Sequence, residues 1–496
     1  MMTSVEHILA LSAGTWPRRP AIIDARGAIS YAELYHQSQA LQGDLLRAGL
    51  RPGMGLGIMG RNSRHFVAAM IAGMGCGVTV FPLSHQLKAA EVRQMLADSR
   101  MHAVLDDGSG DLPMEEGGCT LRCCGQTLRL RWTGISPEVT VTGLADAAFV
   151  RYTSGTTGQS KGVVLSHKRI LERVEVTSQA LGLTPEDAVL WVLPMAYHFL
   201  VTILVYLRSG AAIVLAQDLL AHHLVEAANR HRVTLMYAAP MPIRLLTAAA
   251  PGALSTLKYV ISTSSAIPPT VARSFTERHG VPVVQAYGAI EAGLPLIDHL
   301  STRAAPETVG YPIAGFEVAL LDEGCSPVAD GRVGRLAVRG PGMFDAYLKP
   351  WQPAARVLAD GWFLTGDLAR HAVDGRIVVC GREKHLINVA GNKVFPEEIE
   401  AVLNAHPDVA VARVFGKAHS LMGEIVCAEV VAVGDTVLEM EALQDFCRSR
   451  LSPYKVPQHI SQVAGISHTH SGKVQRGLQD PSPLGAREDE RDQEDS

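Results

Sequence analysis

The sequence has no excess of positive charge. Its 45 lysine and arginine residues are outnumbered by 49 aspartate and glutamate residues, which gives a formal net charge of -4. A protein that binds nucleic acid neutralises phosphate groups and normally carries a strongly basic surface. The composition therefore argues against nucleic acid as a partner.

The eight cysteines lack the spacing of a zinc site. The closest group is Cys119, Cys123 and Cys124, and neither a second cysteine pair nor nearby histidines accompany it. Scattered free thiols are typical of a reducing compartment. A secretory signal is not expected either, because Glu6 and His7 precede any apolar run. The sequence therefore predicts a cytoplasmic protein with reduced cysteines.

Charged residues are missing from residues 188–207, a stretch about as long as a membrane span. Pro194 and His198 interrupt it, and a proline inside a helix removes a backbone hydrogen bond. We therefore predict no membrane span. The expected structure is a buried strand at residues 189–193, then a loop, then a buried helix from about Leu200.

Short apolar runs alternate with amphipathic stretches from Ala21 to Val431, which is typical of α/β layers. Residues 56–59, 64–73 and 78–81 are predicted as a strand, a helix and a strand, which together form a βαβ unit. We predict an α/β protein with a large N-terminal domain of layered, mostly parallel sheets and flanking helices. A β-rich subdomain and a small, mobile α+β C-terminal domain complete the expected fold.

A chain of 496 residues exceeds what one hydrophobic core normally organises, so we expect two or more domains. Residues 1–381 form the predicted large domain, and its β-rich part begins after about Gly315. Residues 382–478 form the predicted small domain. Residues 479–496 are polar and dense in charge, and we expect a disordered acidic tail. Further predicted elements are a helix at 269–279, strands at 316–321, 334–339, 375–380, 409–415 and 424–433, and helices at 396–404 and 439–451.

The strongest local signal is a run of glycine and hydroxyl residues at 152–163, after a predicted strand at 148–150. Glycine adopts positive φ, so that successive backbone N–H groups converge on an anion, and the hydroxyls add donors. The run is not a Walker loop, because no Gly-Lys-Ser/Thr ends it. It predicts a phosphate-binding loop with the contact residues Thr153, Ser154, Gly155, Thr156, Thr157, Gly158 and Lys161.

This loop and four later segments resemble the adenylate-forming superfamily of AMP-dependent synthetases and ligases. Its members include acyl-CoA synthetases, carrier-protein adenylation domains and beetle luciferase. The later segments are residues 285–291, 361–367, 381–384 and 471–476, and residues 29–34 look like the family's first helix. The motifs occur in the family's order, and the resemblance covers roughly residues 20 to 477.

The resemblance implies a ligase that uses ATP, Mg2+ and CoA, or the phosphopantetheine of a carrier protein. A carboxylic acid would be joined to AMP, and a thiol would then displace AMP from the acyl-adenylate. The implied nucleotide-binding residues, beyond the phosphate loop, are Tyr287 and Gly288 at adenine, Ser265 and Ala266 in the adenine wall, and Asp367 and Arg382 at the ribose. Glu291 is the implied Mg2+ ligand.

The resemblance assigns the remaining roles to the acyl pocket and to the mobile domain. His198 would border the acyl pocket, although a lone histidine beside an apolar run is nearly as often core packing. Lys473 would be the adenylation lysine and Lys384 the hinge. Gly391 would line the pantetheine passage, where a side chain would block the arm.

Departures from the family pattern define the alternatives. Ile290 replaces a threonine whose hydroxyl meets the α-phosphate, and Arg335 replaces a frequent glutamate. Residues 262–266 and 466–470 also differ from the pattern. These changes leave open a chain that loads a stand-alone acyl carrier protein, or a degenerate protein that binds an adenylate without turnover. No acidic residue lies in 194–207 to pair with an α-ammonium, so we expect a fatty, aryl or other uncharged-tail acid.

Overall fold

The computed structural model describes residues 2–115, 118–141, 143–144, 146–152, 161–250, 254–298, 300, 305–390, 392–419, 422–434 and 436–467. The α-helices of these residues are α1 (Glu6–Thr15), α2 (Tyr31–Arg47), α3 (Arg64–Gly75), α4 (Ala89–Asp98), α5 (His167–Leu181), α6 (Met195–His198), α7 (Leu204–Ser209), α8 (Ala221–Arg230), α9 (Pro240–Thr247), α10 (Pro269–His279), α11 (Ala354–Val357), α12 (Pro396–Leu403) and α13 (Met440–Arg448). A π-helical segment, Phe199–Ile203, joins α6 to α7, and 3-10 turns occur at Glu383–His385 and Pro453–Lys455.

The strands in the first half of the chain are β1 (Pro20–Asp24), β2 (Gly27–Ser30), β3 (Gly55–Gly60), β4 (Thr79–Ser84), β5 (Ala103–Asp106), β6 (Cys119–Cys123), β7 (Gln126–Trp132), β8 (Ala147–Tyr152), β9 (Gly162–Ser166), β10 (Ala188–Trp191), β11 (Ala212–Leu215) and β12 (Leu235–Ala238). The later strands are β13 (Tyr259–Ser262), β14 (Val283–Ala289), β15 (Gly293–Ile297), β16 (Tyr311–Pro312), β17 (Glu317–Leu321), β18 (Gly334–Arg339), β19 (Ala346–Tyr347), β20 (Gln352–Pro353), β21 (Phe363–His371), β22 (Ile377–Arg382), β23 (Ile387–Val389), β24 (Asn392–Val394), β25 (Val409–His419), β26 (Gly423–Ala432) and β27 (His459–Gln462).

Two large sheets form the body of the protein. The first sheet has the order β16-β15-β14-β13-β12-β10-β11-β1-β2 and is parallel from β14 to β1. The second has the order β20-β19-β9-β8-β4-β3-β5-β7-β6 and is parallel from β8 to β5. Parallel strands need both faces covered, which explains their unbroken apolar sequences. The prediction of layered, mostly parallel sheets is confirmed.

The largest hydrophobic core lies between the two sheets. It contains buried side chains of both sheets and of α1, α2, α3, α5 and α7. A second core joins the other face of the first sheet to α8, α9 and α10, and a third covers the other face of the second sheet together with α4. Part of the site described below, around Arg151 and Tyr347, lies on the inner face of the second sheet.

The C-terminal part of the chain has a sheet and a core of its own. The sheet contains β24, β23, β26, β25 and β27, and α12 and α13 pack on it. A separate four-stranded sheet, β17-β18-β21-β22, precedes it. This separate core supports the predicted boundary near residue 382, which stays a proposal.

Most predicted elements agree with the structure to within a few residues, and α10 and β18 have the predicted bounds. Residues 29 and 30 belong to β2 rather than to the first helix. Ser30 instead caps α2, because its side chain accepts a hydrogen bond from the Glu33 N–H and the Glu33 carboxylate accepts one from the Ser30 N–H.

Two predictions around prolines were wrong. The helix expected from Leu200 begins at Met195, because Pro194 stands at the N-cap, where its missing N–H costs no helical hydrogen bond. The strand expected to end before Pro82 continues to Ser84. There, β8 pairs with β4 only at Val80, so Pro82 removes no hydrogen bond on that side. In the described part of the chain, none of the helices has the length and apolar character required to cross a bilayer.

A glycine on the loop between β18 and β19 controls how closely this loop approaches α5. Gly342 has φ +68°, and an added Cβ would lie 2.7 Å from the Arg169 carbonyl oxygen and 2.8 Å from the Arg173 backbone nitrogen. Gly182, the C-cap of α5, has φ +58° with open space around it. The two positions therefore share a backbone conformation but differ in steric contact.

We expect Gly342→Ala to lower the free energy of unfolding by clearly more than Gly182→Ala. In the control variant Gly182→Ala, the only cost is that of the left-handed backbone conformation, about 1–2 kcal/mol. The loop variant adds a clash with the α5 backbone, which cannot move without disturbing the core. Urea denaturation of both variants measures the difference, and equal losses would contradict the close packing of this loop.

Candidate active site

Strand register brings chemically important side chains to one face of the second sheet. Val163 in β9 pairs with Arg151 in β8 and with Tyr347 in β19. Paired residues of antiparallel strands project to the same face. Val163 and Tyr347 belong to the core between the two sheets. Arg151 and Tyr347 therefore project from the second sheet toward the first.

A tyrosine joins the predicted Mg2+ ligand to the predicted phosphate lysine. The Tyr347 hydroxyl donates a hydrogen bond of 3.0 Å to Oε1 of Glu291. Lys161 Nζ lies 4.7 Å from the centroid of the Tyr347 ring, a cation–π distance. Burial, then the charge of Glu291, raises the pKa of Tyr347, so the hydroxyl stays protonated and acts as a donor. The structure thus brings Glu291 and Lys161 together.

A buried arginine that we did not predict fixes the backbone around Glu291. Arg173 in α5 donates hydrogen bonds to the carbonyls of Ile290 at 2.9 Å, Glu291 at 3.4 Å and Gly342 at 2.9 Å. Burial lowers the pKa of Arg173 to about 10, which leaves it protonated at neutral pH. The Glu291 carbonyl also accepts from the Phe344 N–H at 2.8 Å. No motif marks Arg173, so the sequence offered no signal for this role.

The predicted ribose residues converge at the pair β21 and β22. Asp367 is buried, and its Oδ1 lies 2.8 Å from Nε of Arg382. The Tyr287 hydroxyl also donates to this carboxylate. Burial, then the charge of Asp367, raises the pKa of Tyr287 well above its usual value. Arg382 also donates to the Thr365 carbonyl at 3.0 Å, so a tyrosine, a carboxylate and a guanidinium form one polar group.

The predicted adenine residues lie at adjoining strand ends. Ser265 and Ala266 are exposed on the loop after β13, which pairs with β14. The Gln285 side chain in β14 ties this loop down by accepting from the Ile267 N–H at 3.0 Å. Gly288 faces the turn of the β14–β15 hairpin, where an added Cβ would lie 2.5 Å from the Gly293 carbonyl oxygen. A side chain at position 288 would therefore force the hairpin apart.

His198, which is predicted to border the acyl pocket, packs among aromatic side chains, whereas its neighbour Tyr197 contacts Arg151. The His198 ring packs at right angles near Trp191 and Tyr237, with centroid distances of 5.9 and 6.3 Å. Tyr197 contacts the site instead, because its carbonyl accepts from Arg151 and its ring centroid lies 5.7 Å from the Arg151 guanidinium carbon. Sequence reasoning missed Tyr197 and Arg151, and the role of His198 stays a prediction.

The remaining predicted residues lie at the hinge or outside the described residues. Lys384 is exposed in the turn Glu383–His385. Arg335, a departure from the family pattern, lies 3.3 Å from Oε1 of Glu383 in an ion pair next to this lysine. The predicted residues that fall outside the described part of the chain are Thr153, Ser154, Gly155, Thr156, Thr157, Gly158, Gly391 and Lys473.

The two layered sheets, with the predicted site residues gathered at their strand ends, agree with the comparisons to known families. The AMP-binding enzyme model matches residues 9–348, and the model of the AMP-binding enzyme C-terminal domain matches residues 398–473. The chain therefore belongs to the AMP-binding enzyme family.

Curated relatives and solved structures agree with this assignment. The sulfoacetate–CoA ligase of Cupriavidus necator is 29% identical over 494 residues, covering 95% of this chain and 96% of that protein. The feruloyl-CoA synthase of an Amycolatopsis species is 28% identical over 486 residues, covering 94% and 97%. The ATP-bound MatB of Rhodopseudomonas palustris has a TM-score of 0.82 at 22% identity, covering 95% and 97%. The predicted fold class and the predicted enzyme class, an AMP-forming acid–thiol ligase, are confirmed.

We expect Asp367→Asn to weaken AMP binding by about ten- to a hundredfold, because a hydrogen bond to a charged acceptor contributes about 1.5–3 kcal/mol. Isothermal titration of AMP measures the effect. The matched control is Asp374→Asn, a half-exposed carboxylate between β21 and β22 that pairs with Arg376. Equal AMP affinity in the two variants would remove Asp367 from the site.

Proposed function

We propose that the chain activates a carboxylic acid with ATP as an acyl-adenylate and then transfers the acyl group to CoA. Family membership and the CoA ligase relatives support this. The observation that carries the proposal is the meeting of Glu291, Tyr347 and Lys161 on the inner face of the second sheet. A carboxylate that attacks a phosphate needs fixed positive charge, since the two anions otherwise repel each other, and Lys161 together with an Mg2+ ion held by Glu291 would supply it.

Asp367 is the proposed acceptor for the ribose hydroxyls. Its carboxylate is already oriented by Tyr287 and Arg382, so little further ordering is needed when the nucleotide binds. Tyr287 and Gly288, with Ser265 and Ala266 opposite, would enclose the adenine.

Glu291 is the proposed protein ligand of Mg2+. Among the described residues, no group of three histidine, cysteine, aspartate or glutamate side chains could hold a metal. A single carboxylate fits Mg2+ nonetheless, because this ion usually takes one or two carboxylates and completes its shell with substrate phosphates and water. Mg2+ would neutralise charge on the phosphates, and Tyr347 would orient the carboxylate that holds it.

The second half-reaction is assigned to motion of the C-terminal domain. The C-terminal domain has a separate hydrophobic core, and polar contacts rather than a shared core join it to the N-terminal domain. Both features support a hinge near Lys384. These contacts include Arg244 to the Ala410 carbonyl at 2.5 Å and Lys393 to Glu323 at 3.2 Å. Lys473 would serve adenylation, and Gly391 would line the pantetheine passage during transfer.

A panel of carboxylic acids and two thiol acceptors identifies the substrate acid and the final acyl acceptor. The acid partners named in the two relatives differ in size and chemistry, so neither is transferred to this chain. We favour an acid with an uncharged fatty or aryl tail and CoA as the acceptor, in a cytoplasm that keeps the eight cysteines free. ATP–pyrophosphate exchange identifies the acid. Thioester assays with CoA and with a holo carrier protein then identify the acceptor.

The panel also separates the alternatives. Selective exchange with an α-amino acid would overturn the substrate class. Clear preference for a carrier protein would replace CoA as the acceptor. Absence of exchange with every acid would leave a protein that binds an adenylate without turnover, and would end the enzymatic proposal.

We expect Lys473→Ala to lower ATP–pyrophosphate exchange at least about a hundredfold while thioester formation from supplied acyl-adenylate stays largely intact. The lysine meets the charges that develop during adenylation and is not required once the adenylate exists. Lys417→Ala, an exposed lysine in β25, is the matched control. Equal loss of both half-reactions would contradict this role.

A further inference from the structure

Arg151 forms no ion pair with a carboxylate of the described residues, and Glu291 acts on it only through its charge. Its Nη1 donates to the Tyr197 carbonyl, and its guanidinium carbon lies 5.7 Å from the Tyr197 ring centroid. Its Nε is shielded from solvent and, within the described part of the chain, has no hydrogen-bond partner. Neither a carboxyl group nor a carbonyl of these residues satisfies it. A shielded cation is costly unless an anion pairs with it, so the arrangement favours an anionic ligand.

The position of Arg151 indicates which anion this is. Arg151 immediately precedes Tyr152 and the predicted phosphate loop. It shares a sheet face with Tyr347, whose hydroxyl binds Glu291. Burial lowers the pKa of Arg151, and the negative charge of Glu291 opposes this decrease. Arg151 therefore lies between the Tyr197 segment, next to the predicted acyl pocket, and the proposed Mg2+ ligand.

Position 290, within the described part of the chain, offers no side-chain donor to a phosphate. Ile290 is 5% exposed and carries no polar atom, whereas the family resemblance expects a hydroxyl toward the α-phosphate. Arg173 cannot replace it, because its guanidinium is engaged by the carbonyls of Ile290, Glu291 and Gly342. The Arg151 Nε has no hydrogen-bond partner among the described residues, and a guanidinium can bridge two anions at once.

We propose that Arg151 binds the substrate carboxylate and the α-phosphate where they meet, and so supplies the contact that Ile290 lacks. This role rests on the proposed function. In the step itself, a carboxylate oxygen forms a bond to the α-phosphorus while the bond to the pyrophosphate oxygen breaks. Pyrophosphate leaves with the electron pair, and no proton is transferred. Arg151 stays protonated and contributes hydrogen bonds and charge.

A double-mutant cycle tests the compensation between positions 151 and 290. The proteins are the wild type, Arg151→Met, Ile290→Thr and the double variant, compared by kcat/KM in ATP–pyrophosphate exchange. We expect Arg151→Met to lose about ten- to a hundredfold, the effect of one hydrogen bond to a charged group. The double variant should regain at least about tenfold over Arg151→Met, because threonine restores a donor. Independent, additive effects would overturn the proposal.

Binding measurements test Arg151 without turnover. Arg151→Met should weaken AMP about tenfold and leave adenosine, which has no phosphate, unchanged. Arg151→Lys should retain part of the affinity. Unchanged AMP affinity in Arg151→Met would overturn the role of Arg151. Absence of exchange by the wild type with any acid would instead overturn the proposed function, so the two failures are distinguishable.

Two controls separate this role from a structural one. Arg131→Met removes a buried arginine, which pairs with Asp106 at 3.3 Å near the far edge of the second sheet, and should lower thermal stability without the AMP effect. Arg151→Met should keep the melting temperature near that of the wild type, and the rate of thioester formation at saturating supplied adenylate should change less than about threefold. Equal loss in both half-reactions would contradict the proposal. A loss confined to acids with a second anionic group would instead assign Arg151 to the acyl tail.

Discussion

The buried guanidinium of Arg173 is the contact on which the site depends. It lies in α5, in the layer between the two sheets, and it binds carbonyls of two chain segments that are distant in sequence. One segment carries Glu291 and the other leads through Gly342 to Tyr347. Because each carbonyl accepts a charge-assisted hydrogen bond, the two segments are held in fixed positions. The hydroxyl–carboxylate contact between Tyr347 and Glu291 follows from this fixed spacing.

This dependence explains how much of the protein the sequence could predict. Apolar runs and helical periodicity depend on neighbouring residues, so α10 and β18 were predicted with their correct bounds. Contiguous motifs similarly indicated Tyr287, Asp367 and Arg382, which the fold brings together. Arg173 and Tyr347 stand alone in the sequence, and their roles arise only from strand register and helix packing. No local pattern can carry that information.

The prolines show the same limit on a smaller scale. Pro82 continues a strand and Pro194 starts a helix, although both were expected to interrupt regular structure. In each case the outcome depends on whether a partner requires the missing N–H. That requirement is set by the neighbouring strand or by the helix end, and it cannot be read from the proline itself.

Arg151 and Arg173 show how one residue type serves two purposes within the same site. Arg173 donates hydrogen bonds from Nε, Nη1 and Nη2 to backbone carbonyls, and these bonds hold the backbone in place. Among the residues that the structure describes, Arg151 has one carbonyl partner, and its shielded Nε has no hydrogen-bond partner. A saturated guanidinium gains little from a ligand, whereas an unsaturated one recovers its desolvation cost when an anion arrives. Between these two arginines, hydrogen-bond saturation therefore separates the structural role of Arg173 from the ligand-binding role proposed for Arg151.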